Sequence, residues 1–419
     1  MQQKSLALIS LGCAKNLVDA ERMLYKLKES GYRIVPEAEG ADVVVINTCG
    51  FIEASKQESI ETILEIINLK NENKVKKIIV SGCLAQRYKE QIAEEFPEVD
   101  DVVTLEELPL TGRRILGTAP YTAYLKIAEG CSNRCSYCAI PLIRGDFRSV
   151  PFADVIDEAK ELVRGGVTEL NVIAQDTTKY GIDLYGEYKL PDLLKDICRI
   201  SGLNWVRLLY CYPDRITDEL LLTIKNEPKI CNYIDIPVQH CNGEILSKMN
   251  RTGDKNSLTE LFAKVRSMLP DVVLRTTLIS GFPTETDEQF EEVCHFVKEV
   301  KFDRLGVFAY SREEDTPAFS MPQVDEDLRQ RRADIIMQIQ SDISQKINDR
   351  YIDKTLKVLY EGYDDIAKVH YGRFYGQAPD DIDGKVFFNL NKRVDATFGD
   401  FVNVKIYEAT EYDLIGDTV

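Results

Sequence analysis

The apolar positions of the first hundred residues form short runs that alternate with amphipathic stretches. The runs predict strands at Ser5 to Leu11, Asp42 to Asn47 and Lys77 to Ser81, and the stretches predict helices at about Lys15 to Ser30 and Glu53 to Lys70. Strands that alternate with helices are typical of a parallel α/β sheet. We therefore predict an α/β domain over residues 1–118, which ends in an irregular linker over residues 106–120.

A second alternating series follows this linker. Six strands are predicted, at Ala123 to Ala128, Glu169 to Ala174, Trp205 to Tyr210, Tyr233 to Pro237, Val272 to Ile279 and Arg304 to Ala309. Six such units predict a partial or complete β/α barrel over residues 119–350, which ends in a charged helix from about Asp325 to Arg350. In barrels of this kind the chemistry lies at the carboxyl ends of the strands.

The pattern changes again in the last part of the chain. Short alternating segments are separated by Gly and Asp turns, and they lie at Thr355 to Tyr360, Ile366 to Tyr371, Lys385 to Asn389 and Val402 to Ile406. This pattern predicts a small all-β barrel over residues 351–419. The predicted fold class is therefore α/β, with an N-terminal parallel α/β domain, a β/α barrel and a terminal β-barrel.

Composition adds constraints on location and partners. The 419 residues contain no apolar run long enough to cross a membrane, and the first residues lack the apolar core of a signal peptide, so we expect a soluble cytoplasmic protein. The net charge of -17 opposes binding to a phosphate backbone and favours a basic partner. Eleven cysteines, an odd number, favour metal ligation in a reducing compartment over a disulfide framework.

Three of the cysteines are crowded into one loop. Cys131, Cys135 and Cys138 form a C-x3-C-x2-C pattern directly after the first predicted barrel strand. Such a loop can direct three sulfurs at one 4Fe-4S cluster, which leaves the fourth iron open to substrate. A structural zinc site is the alternative, but zinc needs a fourth ligand and no nearby histidine supplies one.

Three further cysteines are far apart in sequence but share one setting. Cys13, Cys49 and Cys83 each stand at the carboxyl end of a predicted parallel strand of the first domain. Open α/β sheets gather their ligands at this edge. The shared placement predicts a second three-cysteine cluster, with three unrelated buried thiols as the alternative.

Two polar residues of the predicted barrel lie where a cofactor cavity is expected. Gln175 follows the second strand and Arg275 lies in the fifth, and position alone suggests that both line this cavity. The five remaining cysteines share no spacing and are predicted to be packed thiols.

The loop motif C-x3-C-x-aromatic-C resembles the signature of the radical S-adenosylmethionine (SAM) superfamily. This resemblance implies that the open iron on Cys131, Cys135 and Cys138 binds the amino and carboxylate groups of SAM. It also implies that Tyr137, the aromatic residue before the last cysteine, lies near the adenine.

Two cysteine triads followed by a terminal all-β module resemble the radical SAM methylthiotransferase family over essentially the whole chain. The segments most similar to its RimO branch are Leu11 to Asp19, Ala123 to Cys131, Ile140 to Gly145 and Ile236 to His240. The resemblance implies a TRAM domain at the C-terminus and three cofactors, which are two 4Fe-4S clusters and SAM. It implies that two SAM molecules are used to add a methylthio group to the β-carbon of an aspartate in ribosomal protein S twelve. The electron donor and the sulfur source are not encoded in the chain.

The rival substrate within the family is adenosine in tRNA, which the MiaB branch modifies. Residues 354–419 contain eight Lys and Arg against twelve Asp and Glu, which disfavours RNA and suits a basic ribosomal protein. Asp380, Asp381 and Asp383 are expected to present an exposed acidic surface to that protein. Phe374 and Tyr375 keep the tRNA alternative open, because exposed aromatic rings stack on bases.

A non-catalytic iron-sulfur protein, either an electron carrier or a regulatory module, is the alternative from another class. Electron carriers generally bind every iron through a protein ligand, whereas three cysteines at each site favour open irons. Cleavage of SAM by the reduced protein separates the two classes.

Overall fold

The fold is organised around three main sheets, which follow one another along the chain. The computed structural model describes residues 3–380, 382–391 and 394–419. Over these residues no helix has the length and apolar character that a membrane crossing requires. The predicted fold class is confirmed.

The N-terminal sheet has five parallel strands in the order β2-β1-β3-β4-β5. The strands are β1 Ser5–Ser10, β2 Arg33–Ile34, β3 Val43–Thr48, β4 Lys77–Gly82 and β5 Asp101–Val103. The helices are α1 Ala14–Glu29, α2 Glu53–Asn71, α3 Cys83–Arg87 and α4 Lys89–Glu95. All six residues of β3 are buried, as expected for a central parallel strand that is covered on both faces.

The second sheet is a partial barrel of six strands in the order β13-β12-β11-β10-β9-β6. Its strands are β6 Thr122–Lys126, β9 Glu169–Ile173, β10 Trp205–Leu208, β11 Ile230–Asp235, β12 Val273–Ser280 and β13 Arg304–Ala309. A two-stranded ribbon of β7 Ala128–Glu129 and β8 Arg148–Ser149 frames the loop that carries the three crowded cysteines.

Nine helices of this part follow in chain order. They are α5 Ile140–Arg144, α6 Phe152–Arg164, α7 Ile182–Tyr185, α8 Leu190–Cys198, α9 Asp218–Asn226, α10 Gly243–Lys248, α11 Lys255–Met268, α12 Asp287–Val300 and α13 Glu326–Asn348. Along β6, Ala123 and Leu125 pack in the core that contains the helix residues Ala159 and Leu162. Since side chains alternate along a strand, Tyr124 points to the opposite, inner face of the sheet.

The third sheet closes into a barrel in the order β14-β15-β16-β18-β17. Its strands are β14 Thr355–Asp364, β15 Val369–Phe374, β16 Val386–Asn389, β17 Phe401–Ala409 and β18 Leu414–Thr418. Closure removes the free strand edges that a small sheet would otherwise expose. The predicted all-β barrel is thus present, with one strand, β18, more than the sequence pattern indicated.

A buried ion-pair network joins this terminal barrel to the inner face of the six-stranded sheet. Arg373 of β15 contacts Glu169 of β9 at 2.7 Å and Glu361 at 2.8 Å. Arg207 of β10 also contacts Glu169, at 3.3 Å. Burial opposes ionisation of Glu169, but Arg373 and Arg207 outweigh this effect and lower its pKa to about 2.

Replacing Arg373 with Met is expected to lower the free energy of unfolding by about 3–5 kcal/mol, because Glu169 would lose its closest cation while it stays buried. Denaturant unfolding of the variant and of the unchanged protein measures the difference. Lys405→Met is the matched control, because Lys405 lies on the same barrel, is half exposed and approaches Asp353 only at 4.0 Å. This control is expected to change stability by less than about 1 kcal/mol.

The same network sets a pH dependence. The pKa of Glu169 is lower in the folded protein than its ordinary value of 4.5, so its stabilising contribution is complete above that value. The contribution is lost as the pH falls through about 2, and the difference between the Arg373→Met variant and the unchanged protein should shrink over this window. If the difference in stability between the two proteins stays constant as the pH falls to about 2, the ion pair between Arg373 and Glu169 is not its cause.

The predicted exposed acidic surface is wrong for Asp383. Its carboxylate is buried and accepts hydrogen bonds from the Tyr233 hydroxyl and the Ala378 N–H. Asp380 is exposed and accepts a hydrogen bond from Tyr124, and Asp381 lies outside the described residues. The acidic side chains at 380 and 383 thus attach the terminal barrel to the six-stranded sheet.

The two aromatic residues proposed to stack on bases, Phe374 and Tyr375, pack inside the protein. Phe374 is fully buried in the core of the terminal barrel. The Tyr375 hydroxyl donates to the Asp271 carbonyl at 3.1 Å, and its ring packs against Phe374. Neither ring is presented to a base, so these two residues do not support the tRNA alternative.

Candidate functional site

The three dispersed cysteines meet at one edge of the N-terminal sheet. Cys49 and Cys83 directly follow β3 and β4, and Cys13 lies three residues after β1. These strands are adjacent and parallel, so their carboxyl ends share one edge. Burial raises the pKa of Cys83, and the neighbouring thiols of Cys13 and Cys49 raise it further. The three cysteines thus lie at the same edge of the sheet, and their role as cluster ligands stays a prediction.

The backbone before Cys13 accommodates this approach through a glycine. Gly12 has φ of +88°, and a Cβ at this position would lie 3.0 Å from the sulfur of Cys49. Any larger residue would therefore be strained and would also enter the space beside that sulfur.

The charges around this triad differ from one cysteine to the next. Surrounding protein desolvates the Cys13 thiol, but Lys15, Arg144 and two backbone N–H groups at the start of α1 lower its pKa below the ordinary value. Burial raises the pKa of Cys83 to about 12, although Arg144 acts in the opposite direction. Cys13 is thus the member of this triad that ionises most readily.

The crowded cysteines lie in a loop that is held from several sides. The Cys131 N–H donates to the Gly145 carbonyl at 3.0 Å, and the Ser136 N–H donates to the Met249 carbonyl at 3.0 Å. Arg251 places a guanidinium nitrogen 3.7 Å from the sulfur of Cys135. Burial raises the pKa of Cys138 to about 12, and the neighbouring thiols Cys135 and Cys131 raise it further. The loop is therefore fixed by backbone hydrogen bonds, and its three cysteines are half-buried.

A buried network of charges connects the two triads. Arg144 of α5 contacts Asp19 at 2.9 Å, Glu129 at 3.0 Å and the sulfur of Cys83 at 3.4 Å. Lys126, at the end of β6, pairs with the same two carboxylates. Because Asp19 belongs to the N-terminal domain and Glu129 precedes the crowded loop, this network fixes the two triads relative to each other. A cavity of about 530 Å³ opens beside it.

Comparisons with known proteins find a match in each of the three parts of the chain. Residues 5–104 match the uncharacterized protein family UPF0004, residues 125–297 the radical SAM superfamily and residues 352–419 the TRAM domain. The ribosomal protein uS12 methylthiotransferase RimO of Clostridioides difficile is 47% identical, over 99% of this chain and 98% of its own. The RimO of Geobacter sulfurreducens is 46% identical, over 100% and 99%.

The chain belongs to the RimO methylthiotransferase family.

Solved structures show the fold alone. The radical SAM methyltransferase TsrM of Kitasatospora setae, solved with cobalamin and a 4Fe-4S cluster, aligns with a TM-score of 0.57 at 15% identity. The alignment covers 76% of this chain and 77% of TsrM. About three quarters of this RimO family member therefore has a known structural counterpart.

By residue type, the donor sets fit the clusters that the RimO family resemblance implies, since each triad offers three thiols, as a cluster with one open iron requires. Cys13, Cys49 and Cys83 follow three adjacent parallel strands, whereas Cys131, Cys135 and Cys138 lie in one loop after β7. Over the described residues, no group of three such side chains is arranged to hold a single metal ion. Arg144 lies against a sulfur of one triad and Arg251 against a sulfur of the other. Guanidinium groups at these positions would partly neutralise the negative charge of a thiolate-bound cluster.

The three residues predicted to contact SAM occupy different settings in this RimO family member. Tyr137 packs beside the Cys135 thiol, and burial raises the pKa of its hydroxyl well above the ordinary value. Gln175 follows β9 by two residues and is half-buried. Arg275 already pairs with Asp235 at 3.1 Å and Asp383 at 3.5 Å. Contact of each with SAM remains a prediction.

Sequence reasoning gave no role to Lys15, Arg144, Tyr210 or Arg251. Arg144 and Lys15 lie in segments that resemble the RimO branch, but the resemblance alone assigns them no function. Their signal is three-dimensional, because each becomes notable only when the fold brings it against a cysteine or a ring of another element.

Proposed function

We propose that this protein is a radical SAM methylthiotransferase that adds a methylthio group to the β-carbon of an aspartate in ribosomal protein uS12, giving 3-methylthioaspartate. One observation carries the proposal: two cysteine triads, fixed by a shared charge network, occur in a chain that resembles RimO enzymes over its whole length. A substrate that belongs to the ribosome supports a cytoplasmic location.

Two 4Fe-4S clusters and SAM are the cofactors of this proposal. Cys13, Cys49 and Cys83 would hold one cluster, and Cys131, Cys135 and Cys138 the other. When bound, these groups supply reductive cleavage of SAM, removal of hydrogen from an unactivated carbon and the sulfur that is transferred. The proposed domains are residues 1–118 for the first cluster, 119–350 for the barrel and 351–419 for the TRAM domain.

The chain's own contribution is to position the reactants and to exclude water. Arg144 and Lys126 hold Asp19 of one domain against Glu129 of the other, so the space between the triads keeps a fixed width. The inner face of the barrel below this space is closed by apolar contacts with the terminal barrel. A site whose parts are held in place before the substrates bind needs little rearrangement when they react.

Charge supports a protein substrate over tRNA. The terminal barrel contains more acidic than basic residues, and Phe374 and Tyr375 are engaged inside the protein. Ribosomal proteins are typically basic, so an acidic enzyme attracts them while it repels a phosphate backbone. An electron donor and a source of replacement sulfur are the further partners of this proposal.

The substrate is tested by presenting both candidates to the same enzyme preparation. Anaerobically reconstituted protein with a reductant and SAM is expected to add about 46 Da to one aspartate of uS12, the replacement of H by SCH3. Unmodified tRNA in a parallel reaction is expected to stay unchanged. Mass spectrometry of both products decides, and an adduct on tRNA with none on uS12 would refute the proposal in favour of a MiaB-like activity.

A further inference from the structure

Among the described residues, Lys15 is a buried cation without a carboxylate partner, and it lies at the junction between the two cysteine sites. Lys15 is only 5% exposed and lies two positions after Cys13. Within the part of the chain that the structure describes, no carboxylate comes within ion-pair distance of its Nζ. The other two buried lysines, Lys56 and Lys126, each pair with two carboxylates. Lys15 therefore carries a charge that no carboxylate of the described residues neutralises, and the acidic group that it affects is the Cys13 thiol.

The contact that Lys15 does make comes from the barrel. Its Nζ lies 3.3 Å from the centre of the ring of Tyr210, which lies two residues after β10. The face of an aromatic ring attracts an ammonium group but offers no oxygen to its three N–H donors. The ring therefore positions Lys15 while it leaves hydrogen-bonding capacity for another group.

The backbone of Tyr210 is held in an unusual conformation that supports this contact. Its φ of +60° lies in the left-handed region, which residues other than glycine rarely adopt. The Tyr210 N–H donates to Asp235 at 3.1 Å, and its carbonyl accepts from the N–H and the hydroxyl of Thr177, each at 3.1 Å. Strain that the surroundings maintain in this way is typical of residues that serve a site.

The position of Lys15 matches what the proposed reaction requires. The β-carbon of the substrate aspartate must approach both the barrel, where hydrogen is removed, and the N-terminal triad, where sulfur is supplied. Lys15 adjoins Cys13 of that triad, and Tyr210 lies at the carboxyl end of a barrel strand. The carboxylate of the substrate is one bond from the carbon that reacts, so it must lie in the same junction.

We propose that the Lys15 ammonium binds the side-chain carboxylate of the substrate aspartate and so makes the enzyme selective for aspartate. This inference rests on the proposed function. A charge-assisted hydrogen bond in a site with little water is strong and depends on geometry. Asparagine or a nucleobase brings no negative charge and would leave Lys15 buried and unpaired, which disfavours both as substrates.

SAM also carries a carboxylate, so the experiment must separate the two sources. Lys15→Met and Lys15→Arg are compared with the unchanged enzyme, after iron content has been measured for each. Two reactions are followed, which are cleavage of SAM without uS12 and methylthiolation of uS12. Lys15→Met is expected to cleave SAM normally but to lose about ten- to hundredfold in kcat/KM for uS12, whereas Lys15→Arg stays within about threefold.

A second arm changes the substrate and does not depend on folding of the variants. The unchanged enzyme is given uS12 in which the target aspartate is replaced by asparagine, and it is expected to lose activity by a similar factor. Lys15→Met is expected to show little further loss with that substrate, because the two changes remove one interaction. If Lys15→Met fails to retain iron, the unchanged enzyme with the asparagine substrate decides.

The outcomes are distinct. Equal kcat/KM for Lys15→Met and the unchanged enzyme, or equal use of aspartate and asparagine, overturns the inference and leaves the proposed function intact. Loss of SAM cleavage in an iron-replete Lys15→Met overturns it in favour of the SAM carboxylate. No adduct on uS12 with the unchanged enzyme refutes the proposed function and this inference together.

Discussion

Protein in which Cys13, Cys49 and Cys83 are all replaced by alanine is expected to cleave SAM and to form no methylthio product. SAM cleavage needs the barrel cysteines, which this change leaves in place, whereas sulfur delivery needs the N-terminal triad. In one reaction, the amount of 5'-deoxyadenosine measures SAM cleavage and the amount of modified uS12 measures product formation.

The control for this variant is Cys198, Cys231 and Cys241 replaced together by alanine, since these thiols are buried away from both triads. That variant is expected to form product if it folds. Methylthio product at the normal yield from the Cys13, Cys49 and Cys83 variant would show that this triad does not supply sulfur.

Replacing Cys131, Cys135 and Cys138 by alanine is expected to abolish both SAM cleavage and product formation. The reconstituted protein should hold about eight irons, and this variant about four, because one of two 4Fe-4S clusters loses its thiolates. Iron analysis and 5'-deoxyadenosine formation measure the two effects. The loss separates an enzyme from an electron carrier, which would not cleave SAM in either form.

An iron content that is unchanged in this variant would contradict the assignment of the loop cysteines. Retained SAM cleavage together with lost iron would place the cleavage elsewhere in the chain. The N-terminal triad variant provides the matched comparison, since it should lose the same amount of iron and keep SAM cleavage.

Much of the fold could be read from the sequence because its parallel strands are short apolar runs that end at distinctive residues. The helices predicted at 15–30 and 53–70 are Ala14–Glu29 and Glu53–Asn71 in the structure. The placement of Cys13, Cys49 and Cys83 followed from one rule, that neighbouring parallel strands end at the same edge. Topology alone therefore brought distant residues together.

The terminal barrel was less predictable. The strand Leu414–Thr418 has no strong apolar alternation of its own, and pairing with β16 and β17 determines its conformation. Asp383 appeared to be a surface residue because Asp and Gly surround it in sequence. Its burial is tolerated because the carboxylate accepts hydrogen bonds from the hydroxyl of Tyr233, a residue distant in sequence, and from the backbone N–H of Ala378.

The roles of Lys15 and Arg144 also lay beyond the sequence. A lysine near the start of a helix is usually solvated, and nothing local indicates that Tyr210, 195 positions later, covers its ammonium group. Side-chain partners that come from other domains depend on how the domains pack, which periodicity does not encode. Sequence patterns located the cysteines, and only the packed structure identified the charges around them.

The attachment of the terminal barrel also determines which part of the six-stranded sheet is shielded from solvent. Leu359, Ala378 and Phe401 of that barrel pack with Tyr124 and Trp205 on the inner face of the six-stranded sheet. The terminal barrel therefore covers the apolar inner face of the six-stranded sheet as well as forming a domain of its own. We expect an enzyme shortened by this barrel to expose that apolar face to solvent and to aggregate.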